Sequence, residues 1–138
     1  MTSSRNFTNM IDRLRSAGLR PTAPRLTIAK FLFEEGDRHV TAEELQFLSA
    51  SRRHSIALAT IYNTLKQFKD AGLLREVMVG PGRSYFDTNV TPHHHFFLEN
   101  EGRLIDIPES AATVHVSEVP PGTALDRIDV VVRIRTIK

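Results

Sequence analysis

Residues 58–87 read LATIYNTLKQFKDAGLLREVMVGPGRSYFD, and the fold turns on this stretch. Leu58, Ile61, Leu65 and Phe68 recur at three- and four-residue steps, which predicts an amphipathic helix with one apolar face turned inward. At about 100° per residue the opposite face collects Ala59, Asn63, Lys66, Gln67 and Asp70, with Thr60 and Tyr62 on its flanks. Gly72 ends the helix. Leu74 to Val79 and Ser84 to Asp87 then read as two strands around Gly80-Pro81-Gly82-Arg83, a hairpin with Arg83 at its tip. Short helices followed by such a hairpin are the order of a winged helix-turn-helix.

The upstream residues supply those helices. Phe7, Met10, Ile11 and Leu14 form one apolar stripe on a first helix that stops near Gly18. Thr22 caps a second helix that tolerates Pro24 in its first turn, and Ile28, Ala29, Phe31, Leu32 and Phe33 form its buried side before Gly36. Thr41 and Glu44 have capping-box spacing and open a third helix through Leu45 and Leu48, while His39 is placed in the loop ahead of it.

Downstream the periodicity changes from helix to strand. Asn89 to Pro92 is short, polar and closed by proline, as a hinge requires. His93 to Leu98 and Arg103 to Ile107 read as a hairpin around Asn100-Glu101-Gly102. In the last strand Ile128, Val130, Val132 and Ile134 alternate with Arg127, Asp129, Arg133 and Arg135, implying one buried and one wet face. Pro108 to Leu125 is left open between strand and loop, with a turn at Pro120-Pro121-Gly122. The expectation is an α+β chain: a winged helix-turn-helix over 1–88, a hinge over 89–92, and a small α/β domain over 93–138 with a short antiparallel-rich sheet.

Charge separates the same two halves. Residues 1–75 carry 12 Lys/Arg against 7 Asp/Glu and residues 76–138 carry 6 against 9, so the halves stand at +5 and −3. A basic lobe suits a polyanion, which makes double-stranded DNA the expected partner. On the outer face of the residue-58 helix, Thr60, Tyr62, Asn63 and Lys66 offer groove and phosphate contacts, with Gln67 beside Asn63 as an amide able to pair with adenine. Ala59 is small enough for close approach, and Arg20 and Arg83 flank the helix as candidates for the phosphate backbone or minor groove. No long apolar run or hydrophobic leader core occurs, so the expectation is a cytoplasmic protein without a membrane partner.

There are no cysteines, which excludes thiolate zinc sites and iron–sulfur clusters, so any metal here has nitrogen and oxygen ligands. In an extended strand His93 and His95 share one face and His94 takes the other. Two imidazoles on one face can share an ion, and Asp87, Asp106 and His39 are the candidates to complete it, a set suited to Fe(II), Mn(II) or Zn(II). No His-Glu-x-x-His or comparable hydrolytic arrangement occurs, and no enzyme activity is expected.

These residues resemble the ferric uptake regulator (Fur) superfamily. Gly18-Leu19-Arg20-Pro21-Thr22 with Arg25, then His39 to Leu45, then Leu58 to Tyr62 running to Asp70-Ala71-Gly72-Leu73, occur in order and at family-like spacing. Within it, Pro92-His93-His94-His95-Phe96-Phe97 and Asp126 to Arg135 look most like the Irr branch, the iron response regulators of alphaproteobacteria. The resemblance implies a homodimeric, operator-binding regulator of iron homeostasis and haem biosynthesis, paired through its C-terminal domain. It also implies a regulatory metal site at His39, Asp87, His93, His95 and Asp106. Haem is implied as a second ligand at His93, His94 and His95, delivered free or by a haem-carrying protein. The alternative within the superfamily is a metal-dependent peroxide-sensing repressor. Where many relatives place paired zinc-binding cysteines this chain has Leu98 and Glu101, so no cysteine-held structural zinc is expected.

Overall fold

The computed structural model describes residues 2–137, with side chains from residue 9 onward, and the chain divides into two compact units, 1–90 and 91–138. In the first, α1 (Thr2–Ser16), α2 (Ala23–Phe33), β1 (His39–Val40), α3 (Ala42–Ser51) and α4 (Leu58–Asp70) precede the hairpin β2 (Arg75–Gly80) and β3 (Arg83–Asp87). Met10 and Leu14 carry the α1 stripe into the core; the side chain of Phe7, expected beside them, lies outside the described residues. Gly18 adopts φ 79°, and Leu19 N–H reaches back to Leu14 O at 2.8 Å, the reversal that ends the helix.

The caps sit where the sequence places them. Thr22 Oγ1 accepts from Arg25 N at 3.4 Å and Thr41 Oγ1 accepts from Glu44 N at 3.0 Å. From α4, Ile61, Leu65 and Phe68 are wholly buried and pack with Leu14, Ile28, Leu32 and Leu45 into one core. The unit's sheet runs β1-β3-β2, all antiparallel, and a register shift near Gly80 bends the wing before its Pro81-Gly82 turn.

The second unit holds β4 (His95–Leu98), β5 (Arg103–Asp106) and β6 (Val131–Ile134) in the order β5-β4-β6. β4 pairs antiparallel with β5 and parallel with β6. Phe97, Leu98, Leu104 and Ile107 are buried and give this unit an apolar core. Among the described residues no helix is long and apolar enough to cross a membrane.

Several expected boundaries move. His39 is in a strand and not a loop, because Thr88 N–H donates to Arg38 O at 3.0 Å and continues a short ladder onto β3. His93 and His94 precede the regular strand rather than open it, although Ile107 N–H still bonds His94 O at 2.9 Å. Arg83 begins β3 one residue past the turn, not at its tip. The final strand covers only 131–134, and residues 110–130 form no helix or strand; two of them, Val114 and Val116, are exposed.

Candidate functional site

Two groups of side chains stand out, one in each unit. In the first unit, α4 presents Ala59, Tyr62, Asn63, Lys66 and Gln67 as exposed residues, while Thr60 is half-buried. Arg20 is exposed ahead of α2 and Arg83 is exposed on the wing. Between α4 and the hairpin lies a cleft of about 400 Å³ lined by Tyr62, Asn63, Lys66, Lys69, Met78 and Ser84, among others. Helix and wing thus frame one basic, hydrogen-bonding concavity.

Neighbouring elements hold this surface in shape. Tyr62 Oη donates to Glu43 Oε1 at 2.7 Å, and this bond to a carboxylate, with lesser help from burial and charge, raises the phenol's pKa. Lys69 Nζ bonds Glu76 Oε1 at 2.9 Å and Ser84 Oγ donates to Glu76 Oε2 at 2.6 Å. Burial works against the Glu76 carboxylate, but these two donors outweigh it and hold its pKa below the usual value. No local sequence pattern marks these three, since the wing's register joins Glu76 to Ser84 and the turn after α4 brings Lys69 to Glu76.

Gln67 departs from the expectation of an amide free to pair with adenine. Its Oε1 accepts two bonds from Arg25, Nε at 3.1 Å and Nη2 at 3.0 Å. Arg25 Nη1 also donates to Arg20 O at 2.9 Å, tying the segment before α2 to α4.

In the second unit His93, His95 and Asp106 converge. The Cα register sets His95 opposite Asp106, and His93 and His95 stack with ring centroids 4.4 Å apart. His93 Nε2 lies 3.3 Å and His95 Nε2 3.4 Å from the same oxygen, Asp106 Oδ1. His95 is 3% exposed and Asp106 54%, so one side of the group is closed and the other reaches solvent.

The hydrogen bonding of His93 limits what the group can be. Its Nδ1 lies 2.6 Å from Thr91 O, a pure acceptor, so Nδ1 carries a proton. In the neutral ring Nε2 is then a lone pair aimed at another acceptor, the Asp106 carboxylate. That contact is satisfied by a second ring proton or by a metal ion, and a backbone carbonyl behind the distal nitrogen is the arrangement metal-bound imidazoles use. A tetrahedral centre with bonds of about 2.0–2.1 Å separates its ligands by roughly 3.3–3.4 Å. The donor atoms fit a divalent ion in chemistry and in spacing.

The first unit holds the other two expected ligands side by side. His39 and Asp87 are register partners on β1 and β3. Asp87 is 2% exposed and its Oδ1 accepts from Asn89 N at 2.9 Å, while His39 stands edge-on to Tyr85. His94 has a different setting: its Nδ1 is buried with no hydrogen-bond partner, and it borders a cleft of about 400 Å³ with Pro92, Ile107, Pro108 and Glu109.

The sequence profile described as "Ferric uptake regulator family" matches residues 16–130, most of both units. The chain belongs to the ferric uptake regulator family. One similar relative is the peroxide-responsive repressor PerR of Staphylococcus epidermidis, 38% identical over 96 residues, which are 70% of this chain and 63% of that protein. PerR of Staphylococcus aureus is similar to the same extent, with 64% of its length matched, so the match takes in less than two thirds of these curated relatives. Among solved structures, the manganese-containing ferric uptake regulator of Pseudomonas aeruginosa superposes with a TM-score of 0.71 at 25% identity, covering 94% of this chain and 98% of that one. The ferric uptake regulator of Vibrio cholerae superposes at 0.68 and 23% identity, covering 91% and 98%, a likeness of fold. This Fur-family chain combines a winged helix with a nitrogen–oxygen donor group, and it has no cysteine.

Proposed function

We propose that this Fur-family chain is a homodimeric, metal-responsive transcription regulator that binds operator DNA through α4 and the wing. The observation that carries the reading is the convergence of His93 Nε2, His95 Nε2 and Asp106 Oδ1 at ligand-to-ligand spacing. These three hold a divalent ion, Fe(II), Mn(II) or Zn(II), with His39 and Asp87 of the first unit as the further ligands that the family resemblance implies. Bound there, the metal supplies a fixed positive charge that neutralises two carboxylates and orders the imidazoles. It changes DNA affinity only to the extent that it prefers the DNA-competent arrangement, and a coupling of about 1–3 kcal/mol alters operator affinity roughly 5–150-fold. Ala59, Thr60, Tyr62, Asn63 and Lys66 face the groove in this reading, and Arg20 and Arg83 flank it against phosphates.

The finer reading is a regulator of iron homeostasis and haem biosynthesis of the Irr kind, with haem at His93, His94 and His95. Its support is the unpartnered His94 nitrogen beside a cleft walled by Pro92, Ile107 and Pro108. Haem and metal then compete for His93 and His95. Titration with haemin is expected to give a haem absorption band that the H93A/H94A/H95A variant lacks, and to displace Mn(II); an identical band in the variant overturns haem at this cluster.

A second reading, a peroxide sensor, is favoured by the 38% identity to PerR. Fe(II) held by these imidazoles would reduce hydrogen peroxide, which would supply both the oxidising equivalents and the oxygen atom added to a ligand histidine. Mass spectrometry of the Fe(II) protein after peroxide treatment decides it: one added oxygen on His39 or His93 supports sensing, and unmodified histidines exclude it.

A further inference from the structure

The bond between Arg25 and Gln67 links two helices across 42 residues of sequence on the face proposed to meet DNA. Arginine has five donors and no acceptor, so the amide side that meets it is the carbonyl. A carbonyl oxygen has two lone pairs, and Arg25 Nε–H and Nη2–H take both, at 3.1 and 3.0 Å. Gln67 is exposed, its acceptor capacity is used up, and its amide NH2 has no protein partner among the described residues. Arg25 is held in turn by Arg20 O at 2.9 Å, so the clamp is set before any ligand arrives.

A glutamine that reads adenine needs both of its functions, the carbonyl to accept from N6 and the amide to donate to N7. Gln67 has only the second. Guanine offers two acceptors in the major groove, N7 and O6, and no donor there, which matches a side chain reduced to donors. We infer that Arg25 converts Gln67 from an adenine reader into a guanine reader, making the pair a specificity determinant built from two helices. Gln67 lies one turn beyond Asn63 and two turns beyond Thr60 on the same helical face, so it reads the base pair next along the groove. This inference rests on the reading of α4 as the helix that enters the groove.

The test is selection of bound duplexes from a random pool by the Mn(II)-loaded protein, followed by sequencing, for wild type and four variants. Wild type is expected to prefer guanine over adenine by roughly 10-fold at one position per half-site, the lower part of what a good amide–base contact gives. Q67A loses that preference at that position alone. Q67E keeps an acceptor for Arg25 but has no donors, and loses it too. R25A frees the carbonyl and moves the preference toward adenine; R25K, which gives one bond in place of two, moves it part of the way and serves if R25A does not fold. Enrichment of adenine by wild type, or Q67A binding that weakens uniformly with no position changed, overturns the inference: the first restores an ordinary glutamine and the second makes the partner a phosphate. Failure of the wild type to enrich any duplex removes the functional reading itself, a result distinct from either.

Discussion

Removing the Asp106 carboxylate, as in Asp106→Ala, is expected to weaken Zn(II) or Mn(II) binding at the histidine group at least about 100-fold. Asp106 Oδ1 lies within 3.4 Å of both imidazole nitrogens, so its loss removes a charged ligand from between them and opens the site. Even partners one shell out from a metal are worth roughly 10–100-fold in affinity, and a charged ligand in contact with the ion is worth more. The side chain is 54% exposed at the end of a short edge strand, so little stability goes with it. Competition against a chelator of known affinity measures the change, with thermal melting of the metal-free protein as the control. Equal affinity in the two proteins places the ion elsewhere.

Phe68→Ala is expected to destabilise the first unit by about 3–5 kcal/mol, the usual range for a phenylalanine removed from a core. Phe68 is 0% exposed and packs against Phe33, with ring centroids 6.3 Å apart, inside the cluster that seats α4. Against a domain stability of roughly 5–15 kcal/mol this is a large fraction. Urea unfolding shows it as a lower midpoint at unchanged slope, and DNA binding falls along with the folded fraction. Phe47→Ala is the matched control. Phe47 is 78% exposed, and its loss is expected to change stability by no more than about 0.5 kcal/mol.

Much of this was legible because burial leaves a period in the sequence. The recurrence of Leu58, Ile61, Leu65 and Phe68 marks α4 because that face fills the core, and Gly82 at φ 66° marks the wing turn. The period of two that set His93 and His95 on one face holds even though the regular strand starts only at His95, since backbone bonding continues to His94. Asp106 was placed opposite by hairpin register, the shortest-range pairing a sheet offers.

What escaped was non-local or too short to show a pattern. β1 has two residues and exists because β3, nearly 50 residues later, pairs with it; so His39 reads as loop until Asp87 is seen opposite. The amide of Gln67 looked free because its partner Arg25 is in another helix. Glu76 and Ser84 meet through the wing's register, and Lys69 reaches Glu76 across the turn between α4 and β2. Residues 110–129 lie in no helix or strand, in keeping with a segment that contains Pro120-Pro121-Gly122 and no sustained apolar period.

The central claim is that an ion at His93, His95 and Asp106 governs how tightly α4 and the wing hold DNA. Fluorescence anisotropy with a duplex enriched by the protein, measured with saturating Mn(II) and again with chelator, tests it most directly. The account predicts affinities that differ roughly 5–150-fold for the wild type and by nothing measurable for H93A/H95A, with circular dichroism of the variant as the control for folding. Equal wild-type affinity with and without Mn(II), or an undiminished metal response in H93A/H95A, contradicts it.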